Sequence, residues 1–366
     1  MTECFRSLAR MWARALFVLL LIAPAAGWGE VLATQLSHPW ALAFLPSGDL
    51  LITEKSGSLR CFSEDAGMGA PIGGVPPVYF MSQGGLMDVV LHPDFASDPW
   101  VYLTLAHGTA ENNATRVVRG LLRGERLIDV EVVHTVSPGK NTPVHYGGRI
   151  AFLPDGTFLL TTGDGFNFRE AAQDLGSQLG KILRLNDDGT IPKDNPFVGV
   201  AGADPAIYSY GHRNPQGLVV SDDGVPYAHE HGPMGGDEIN RIEPGANYGW
   251  PAATFGRDYT GASVSPFTSL PDVADPLMVW VPSIAPAGMT QLRSARFGAP
   301  GDFLVGALVN AEVRRVSLGE SAAQSTDQAL FAGIGQRIRE VREGPNGCIY
   351  LLTDGAEGEL HRRCSL

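Results

Sequence analysis

Several things are scarce in this chain, and each scarcity excludes a class of protein. Among 366 residues only four are cysteine, with no C-x-x-C, no C-x-x-C-H and no adjacent pair, so covalent haem attachment and a zinc ribbon are excluded. Charged residues make up 18%, below the usual quarter, while apolar residues at 44% supply a core, which argues against disorder. Basic residues are outnumbered 27 to 39, so nucleic acid and anionic membranes are poor partners by bulk charge. The one long apolar run is Ala15–Ala23 (ALFVLLLIA), too short to span a bilayer comfortably, so no stable membrane span is expected.

That run sits in a distinctive leader. Arg6, Arg10 and Arg14 precede it, and Ala23, Pro24, Ala25 and Ala26 follow. This is the pattern of a cleaved secretory signal over residues 1–26, with an uncleaved anchor as the competing reading. Its removal takes away three Arg and one Glu and leaves a net charge of −14 on residues 27–366. A periplasmic or secreted destination is expected. There, Cys348 and Cys364 would lie opposite each other if the segment CIYLLTDGAEGELHRRC is a hairpin centred on Ala356; a disulfide or two buried thiols are the alternatives.

Glycine and proline are abundant, 45 and 26 residues, about 12% and 7% against the usual 7% and 5%. Helical bundles and coiled coils are excluded, because these residues interrupt helices. They punctuate a loose repeat instead. An apolar strand, a turn with Pro, Asp or Gly, and a second apolar strand recur six times: ALAFLPSGDLLITE, DVVLHPDFASDPWVYL, RIAFLPDGTFLLTT, GLVVSDDGVPYAHE, ARFGAPGDFLV and VREGPNGCIYLLT. The turns follow Phe44, Leu91, Phe152, Val220, Phe297 and Val341, spaced by 47, 61, 68, 77 and 44 residues. Third or fourth strands are visible as SGSLRCF, GDEINRI, AEVRRVSL and GELHRR. The expected fold is all-β, a six-bladed β-propeller of four-stranded antiparallel blades; six units over this length favour it over a single β-sandwich. Only Arg169–Leu185 has a modest helical pattern, equally compatible with a loop.

Four polar, glycine-flanked segments interrupt the repeat: His145–Arg149 (HYGGR), Gly163–Gly165 (GDG), Gly211–Gly217 (GHRNPQG) and His229–Asn240 (HEHGPMGGDEIN), the last followed by GANYGWP. Singly they are ambiguous. His145 reads as a base or as a hydrogen-bonded structural histidine, and Asp164 as a functional carboxylate or a turn residue. His229 and His231 alternate on one strand face but lack an evident third zinc ligand. Asp237 and Glu238 suit Ca²⁺ or a solvated turn.

Together, HYGGRIAFLPDGTFLLTTGDG, GKILRLNDDGTIPKDNPF, IYSYGHRNPQGL, EHGPMGGDEINRI and GANYGWP, with QGGLMDVVLHPDF and QRIREV, resemble the soluble PQQ-dependent glucose and aldose sugar dehydrogenase family, from His38 to Arg363. The resemblance implies a six-bladed propeller carrying PQQ and Ca²⁺ over one mouth and oxidising the C1 hydroxyl of an aldose to a lactone. It implies His145 as general base, Asp164 as the carboxylate orienting it, Arg213 and Asn214 beside the quinone oxygens, and Gln83 near the reacting edge. It also implies Arg337 and Arg339 on PQQ carboxylates, where an arginine fork suits a bidentate partner. Gly232 and Pro233 match backbone carbonyls on the cofactor Ca²⁺, and Glu238 with the Tyr248 backbone match a second, structural Ca²⁺ site. Electrons would leave to an external acceptor, a quinone or a cytochrome, and the oligomeric state stays open between monomer and homodimer.

Two departures stand out. Val309 falls where the glucose dehydrogenases of the family carry a PQQ-holding Lys, and Val281-Pro282-Ser283 falls where they place a Trp near the sugar. An open site with a broad aldose range is the resulting expectation. A non-catalytic sugar- or partner-binding propeller and a metal-dependent propeller lactonase are the alternative functions.

Overall fold

The computed structural model describes residues 29–365; the leader over residues 1–26 lies outside them. Six four-stranded antiparallel sheets follow one another as the blades of a propeller. From the axis outward, blade 1 is Pro39–Phe44, Leu50–Glu54, Ser58–Ser63 and Gly67–Pro71. Blade 2 is Leu86–Leu91, Trp100–Gly108, Asn113–Arg123 and Arg126–Thr135. Blade 3 is Ile150–Phe152, Phe158–Thr161, Lys181–Leu185 and Ile207–Tyr210. Blade 4 is Pro215–Val220, Pro226–Glu230, Asp237–Arg241 and Met278–Trp280. Blade 5 is Pro286–Gln291, Phe303–Ala307, Glu312–Ser317 and Thr326–Phe331. Blade 6 is Ile338–Glu343, Ile349–Thr353, Gly358–Arg363 and, as its outermost strand, Glu30–Leu36 from the other end of the chain.

The second strand of each blade explains the sequence pattern. LLITE, FLLT, FLVGA and IYLLT are buried at every position, because both faces of such a strand meet a neighbouring blade. A continuous apolar run between turns is therefore required rather than alternation. Six apolar clusters result, one in each gap between adjacent blades. Among the described residues no helix is long and apolar enough to cross a membrane. The helical pattern near Arg169 is one 3₁₀ turn, Arg169–Ala172, before the strand Lys181–Leu185.

The blades depart from the expected repeat in two places. The pattern puts the fifth copy at Ala295–Val305 with its turn after Phe297, but the inner strand is Pro286–Gln291, which begins nine residues earlier. Its sequence, PAGMTQ, has Pro and Gly where β-formers are expected, and Phe297 is a buried residue of the following loop. The repeat pattern offers no fourth strand for blade 6; that strand is Glu30–Leu36, which closes the ring. The hairpin at Cys348–Cys364 is in the expected register, with Ile349 opposite Arg363, and the two cysteines form a disulfide.

The axis is plugged by charge. Arg149, 2% exposed, donates from Nη1 to Glu340 Oε2 at 2.5 Å and to Asp88 Oδ1 at 3.4 Å. Its Nε donates to the Gln216 carbonyl at 2.8 Å, and its guanidinium lies 4.0 Å from the Trp40 ring centroid. Gly288 makes room for this group: a Cβ there would stand 2.0 Å from Glu340 Oε1. Breaking a buried ion pair from one side leaves uncompensated charge. Arg149→Met is expected to cost about 3–5 kcal/mol in urea unfolding. Burial already raises the Asp88 carboxyl, and Arg149 opposes that rise; without Arg149 the folded pKa climbs further above the unfolded one. The deficit should then shrink as pH falls, since the folded state takes up more protons. A pH-independent deficit would show that packing, not charge, is the loss.

Candidate functional site

The antiparallel blades bring two kinds of chain segment to one mouth of the channel, the beginnings of inner strands and the ends of second strands. A cavity of about 240 Å³ lies there, lined among others by Trp40, Gln83, Asn214, His231, Arg337 and Arg339. The backbone is unusually constrained around it. Ser82, His145, Phe166 and Ala285 all adopt positive φ without being glycine, a conformation that persists only where surrounding contacts hold it and that clusters at functional sites.

His145 follows the outer strand of blade 2 and is 5% exposed. Its Nδ1 is 2.6 Å from Asp164 Oδ1, which leaves Nε2 as the nitrogen free for chemistry. Its backbone N–H donates to Gln83 Oε1 at 2.8 Å. Asp164, at the end of the second strand of blade 3, is fully buried and accepts twice more: from the Phe166 N–H at 2.7 Å on Oδ1 and from Trp250 Nε1–H at 2.8 Å on Oδ2. Burial alone would raise the Asp164 carboxyl. The hydrogen bond and charge of His145, the charge of Arg213 and the Phe166 N–H together hold it below the usual carboxylate range. For His145, burial dominates and lowers the imidazole below its ordinary value, with Asp164 pulling upward and Arg213 downward. The pair is thus a neutral imidazole aligned by a carboxylate anion, the arrangement of an oriented general base.

Arg213 begins the next blade beside it. Its Nη1 donates to the carbonyls of Gly232 at 2.9 Å and His231 at 3.2 Å, and its guanidinium lies 5.3 Å from the Trp250 ring centroid. Asn214 Oδ1 accepts from the Gly147 N–H at 3.1 Å. Arg337 and Arg339 share one carboxylate, with Nε–Oδ distances to Asp354 of 3.0 and 3.2 Å. The structure therefore gathers His145, Asp164, Arg213, Asn214, Gln83, Arg337 and Arg339 at one mouth.

The metal candidates are arranged differently. The Gly232 carbonyl is engaged by Arg213, and Pro233 follows it, buried. Glu238 and Tyr248 lie around Glu230, which holds His212 Nδ1 at 2.8 Å. Burial, then the charge of Glu230, and also Asp237, push the Glu238 carboxyl up to about 8 against the pull of Asn240, and among the described residues Asn240 Oδ1 has no hydrogen-bond partner. An acidic, oxygen-lined spot with an orphaned acceptor suits a hard cation. Among the described residues, however, no group of three or more His, Cys, Asp or Glu is placed to hold a metal. Among the described residues, His229 and His231 meet no third zinc ligand. The His229 ring fills the space above Gly217, and His231 Nε2 is committed to the Pro286 carbonyl at 2.6 Å.

A family model described as Glucose / Sorbosone dehydrogenase matches residues 36–362. The chain belongs to this family. It is 40% identical over 350 residues to the aldose sugar dehydrogenase YliI of Escherichia coli (strain K12), covering 93% of this chain and 94% of that one. A crystal structure of a glucose dehydrogenase, 41% identical, superposes with a TM-score of 0.88 over 92% of this chain and 99% of its own. The PQQ-bound form of an aldose sugar dehydrogenase from Streptomyces coelicolor, 33% identical, superposes with a TM-score of 0.75 over 91% and 96%.

Sequence reasoning did not single out Trp250, although GANYGWP contains it. Its role depends on contact with Asp164, 86 residues away, and no local signal reports that. Trp250→Phe removes the donor to a buried carboxylate, and a hydrogen bond to a charged group is worth about 1.5–3 kcal/mol. Sugar oxidation by this glucose/sorbosone dehydrogenase family member is expected to slow at least about tenfold, and the melting temperature to fall by roughly a few degrees. Unchanged turnover would show that Trp250 only fills space.

Proposed function

We propose that the protein is a PQQ-dependent aldose dehydrogenase, oxidising the C1 hydroxyl of aldoses to lactones and passing electrons to an external quinone or cytochrome. The observation that carries this reading is the oriented His145–Asp164 pair standing beside a mouth lined by arginines, on a fold whose relative from Streptomyces coelicolor binds PQQ. The residues fit such a group. PQQ is a flat tricarboxylate, and Arg337 and Arg339 offer guanidinium forks while sharing a single counter-carboxylate.

When bound, PQQ supplies the hydride acceptor, chemistry no side chain provides. The chain supplies the rest. His145 Nε2 takes the proton of the sugar hydroxyl, and Asp164 stabilises the imidazolium that results. Trp250 and the Phe166 N–H keep that carboxylate in place. Arg213 sets positive charge next to the base, where negative charge develops on the acceptor side. Asn214 and Gln83 position. The carbonyls of Gly232 and Pro233 would hold a cofactor Ca²⁺, and Glu238 with the Tyr248 backbone a structural one, in keeping with the crowding of the Glu230 and Glu238 carboxyls and the orphaned Asn240 Oδ1 beside them.

The substrate side is open and aromatic. Phe166 packs edge-on against the His145 ring at 5.3 Å, and Tyr259 stacks on Phe166 at 6.2 Å, both largely exposed. Val281, where a Trp stands in the glucose enzymes, is 65% exposed. A sugar ring can rest on such faces without every hydroxyl being read, which favours a broad aldose range. A periplasmic or secreted location is supported by the leader over residues 1–26 and by the Cys348–Cys364 disulfide.

Reconstitution decides the matter. Purified protein loaded with PQQ and Ca²⁺ is expected to reduce a dye with several aldoses, and absence of turnover with any aldose or alcohol would sink the proposal. His145→Ala should retain PQQ binding and lose on the order of 10²–10⁴ in rate, the contribution typical of a general base. The pH profile carries a second expectation. The base works neutral, and burial lowers its pKa, so kcat/KM should fall only below the ordinary histidine value of 6.5. Asp164→Asn removes the group that raises that pKa and should move the acid limb lower still. Movement upward would contradict the assignment.

A further inference from the structure

The cofactor cavity has a cation that the sequence did not disclose. Lys55 leaves the second strand of blade 1 and lines the cavity together with Arg337 and Arg339 from blade 6. Its side chain is buried, yet among the described residues no carboxylate is hydrogen-bonded to it. Nζ donates to the Ser82 carbonyl at 2.6 Å and lies 5.9 Å from the Phe80 ring centroid. An ammonium has three protons, and only one is accounted for by that bond.

The charges around it do not balance. Three cations, Lys55, Arg337 and Arg339, converge on one side of the mouth, with Asp354 as the carboxylate among them. Burial, and next the positive charge of Arg339, destabilise the charged form of Lys55, while Asp354 supports it. Like charges brought together in a partly desolvated pocket are unfavourable in the empty protein, and an anionic ligand relieves that cost. A ligand with several carboxylates suits it best.

The position is also telling. The resemblance to the glucose dehydrogenases of the family implies a PQQ-holding lysine at the position of Val309. Here Val309 is 60% exposed, and Leu308 takes the cavity wall just past the second strand of blade 5. Lys55 occupies the matching place just past the second strand of blade 1. The mouth is a ring, so a cation lost from one blade can be provided from another.

We propose that Lys55 is a cofactor-binding residue, contacting a carboxylate of the bound cofactor alongside Arg337 and Arg339 and standing in for the lysine absent at position 309. The proposal rests on the PQQ reading above. It also assigns the loop over residues 79–85 a double attachment. Lys55 Nζ holds Ser82, its own carbonyl accepts from Leu86, and Gln83 between them holds His145.

The test is a binding measurement on the apo-protein with Ca²⁺ present, following PQQ by absorbance or quenching of tryptophan fluorescence. Lys55→Met is expected to weaken PQQ at least about tenfold, since a charge-assisted hydrogen bond is lost. Lys55→Arg should stay within a few-fold of wild type. The trimethyl ester of PQQ, whose carboxylates carry no charge, should bind wild type and Lys55→Met equally. If Lys55→Met does not fold, judged by its melting curve, Lys55→Gln keeps a donor for the Ser82 carbonyl without the charge and should show the same loss. Equal PQQ affinity in wild type and the uncharged variant overturns the proposal and leaves the PQQ reading intact. So does an equal loss for PQQ and its ester, which would make Lys55 a structural clamp on Ser82. Failure of wild type to bind PQQ overturns both.

Discussion

Pairing of Glu30–Leu36 with Gly358–Arg363 is the constraint on which the mouth depends. A row of blades without this strand would expose the inner faces of blades 1 and 6, and the apolar cluster between them, built from Leu36, Leu42, Ile52, Leu352 and Leu360, would face water. Closure makes blade 6 the neighbour of blade 1. It thereby brings Lys55 to Arg337 and Arg339, which stand about 280 residues further along the chain. It also sets Glu340 against Arg149, 191 residues apart. The functional mouth and the charged plug beneath it are consequences of one strand pairing.

Within the ring, charge is handled by hubs. Asp164 accepts from His145, Phe166 and Trp250, so the base, the aromatic rim and the blade 4 loop share one anion. Arg149 answers two carboxylates across the channel. Glu230 gathers His212 and the Arg213 backbone. Each hub ties blades that packing alone would let slide, and each is buried, where a hydrogen bond gains strength and a lost partner is expensive. The cofactor pocket departs from this habit. Its cations outnumber their carboxylates, an imbalance that makes sense for a surface meant to receive an anion.

Much of this could be read along the chain. The buried second strands of the blades announce themselves as continuous apolar runs, and glycine and proline mark the turns between them. The register of the last hairpin followed from the midpoint between Cys348 and Cys364, since both lie within one pair of strands. The reading failed where local pattern and tertiary need diverge. PAGMTQ is a poor strand by propensity and is one because blades 4 and 6 enclose it. ARFGAPGDF looked like the repeat and is partly a loop. The strand Glu30–Leu36 is unremarkable, because its role lies in what it pairs with.

The sequence by itself determined the class of fold and the number of blades and, through its resemblance to a known family, the group of residues around His145, Asp164 and Arg213. Turn residues and buried strands act locally, and the motif spacings lie within single blades or adjacent ones. Tertiary structure alone decided that Trp250 holds Asp164, that His229 fills a hollow above Gly217, and that Lys55 faces the arginines of the sixth blade. Those are contacts between distant segments. Only the closing of a ring, driven by burial of the faces between blades, puts them within reach.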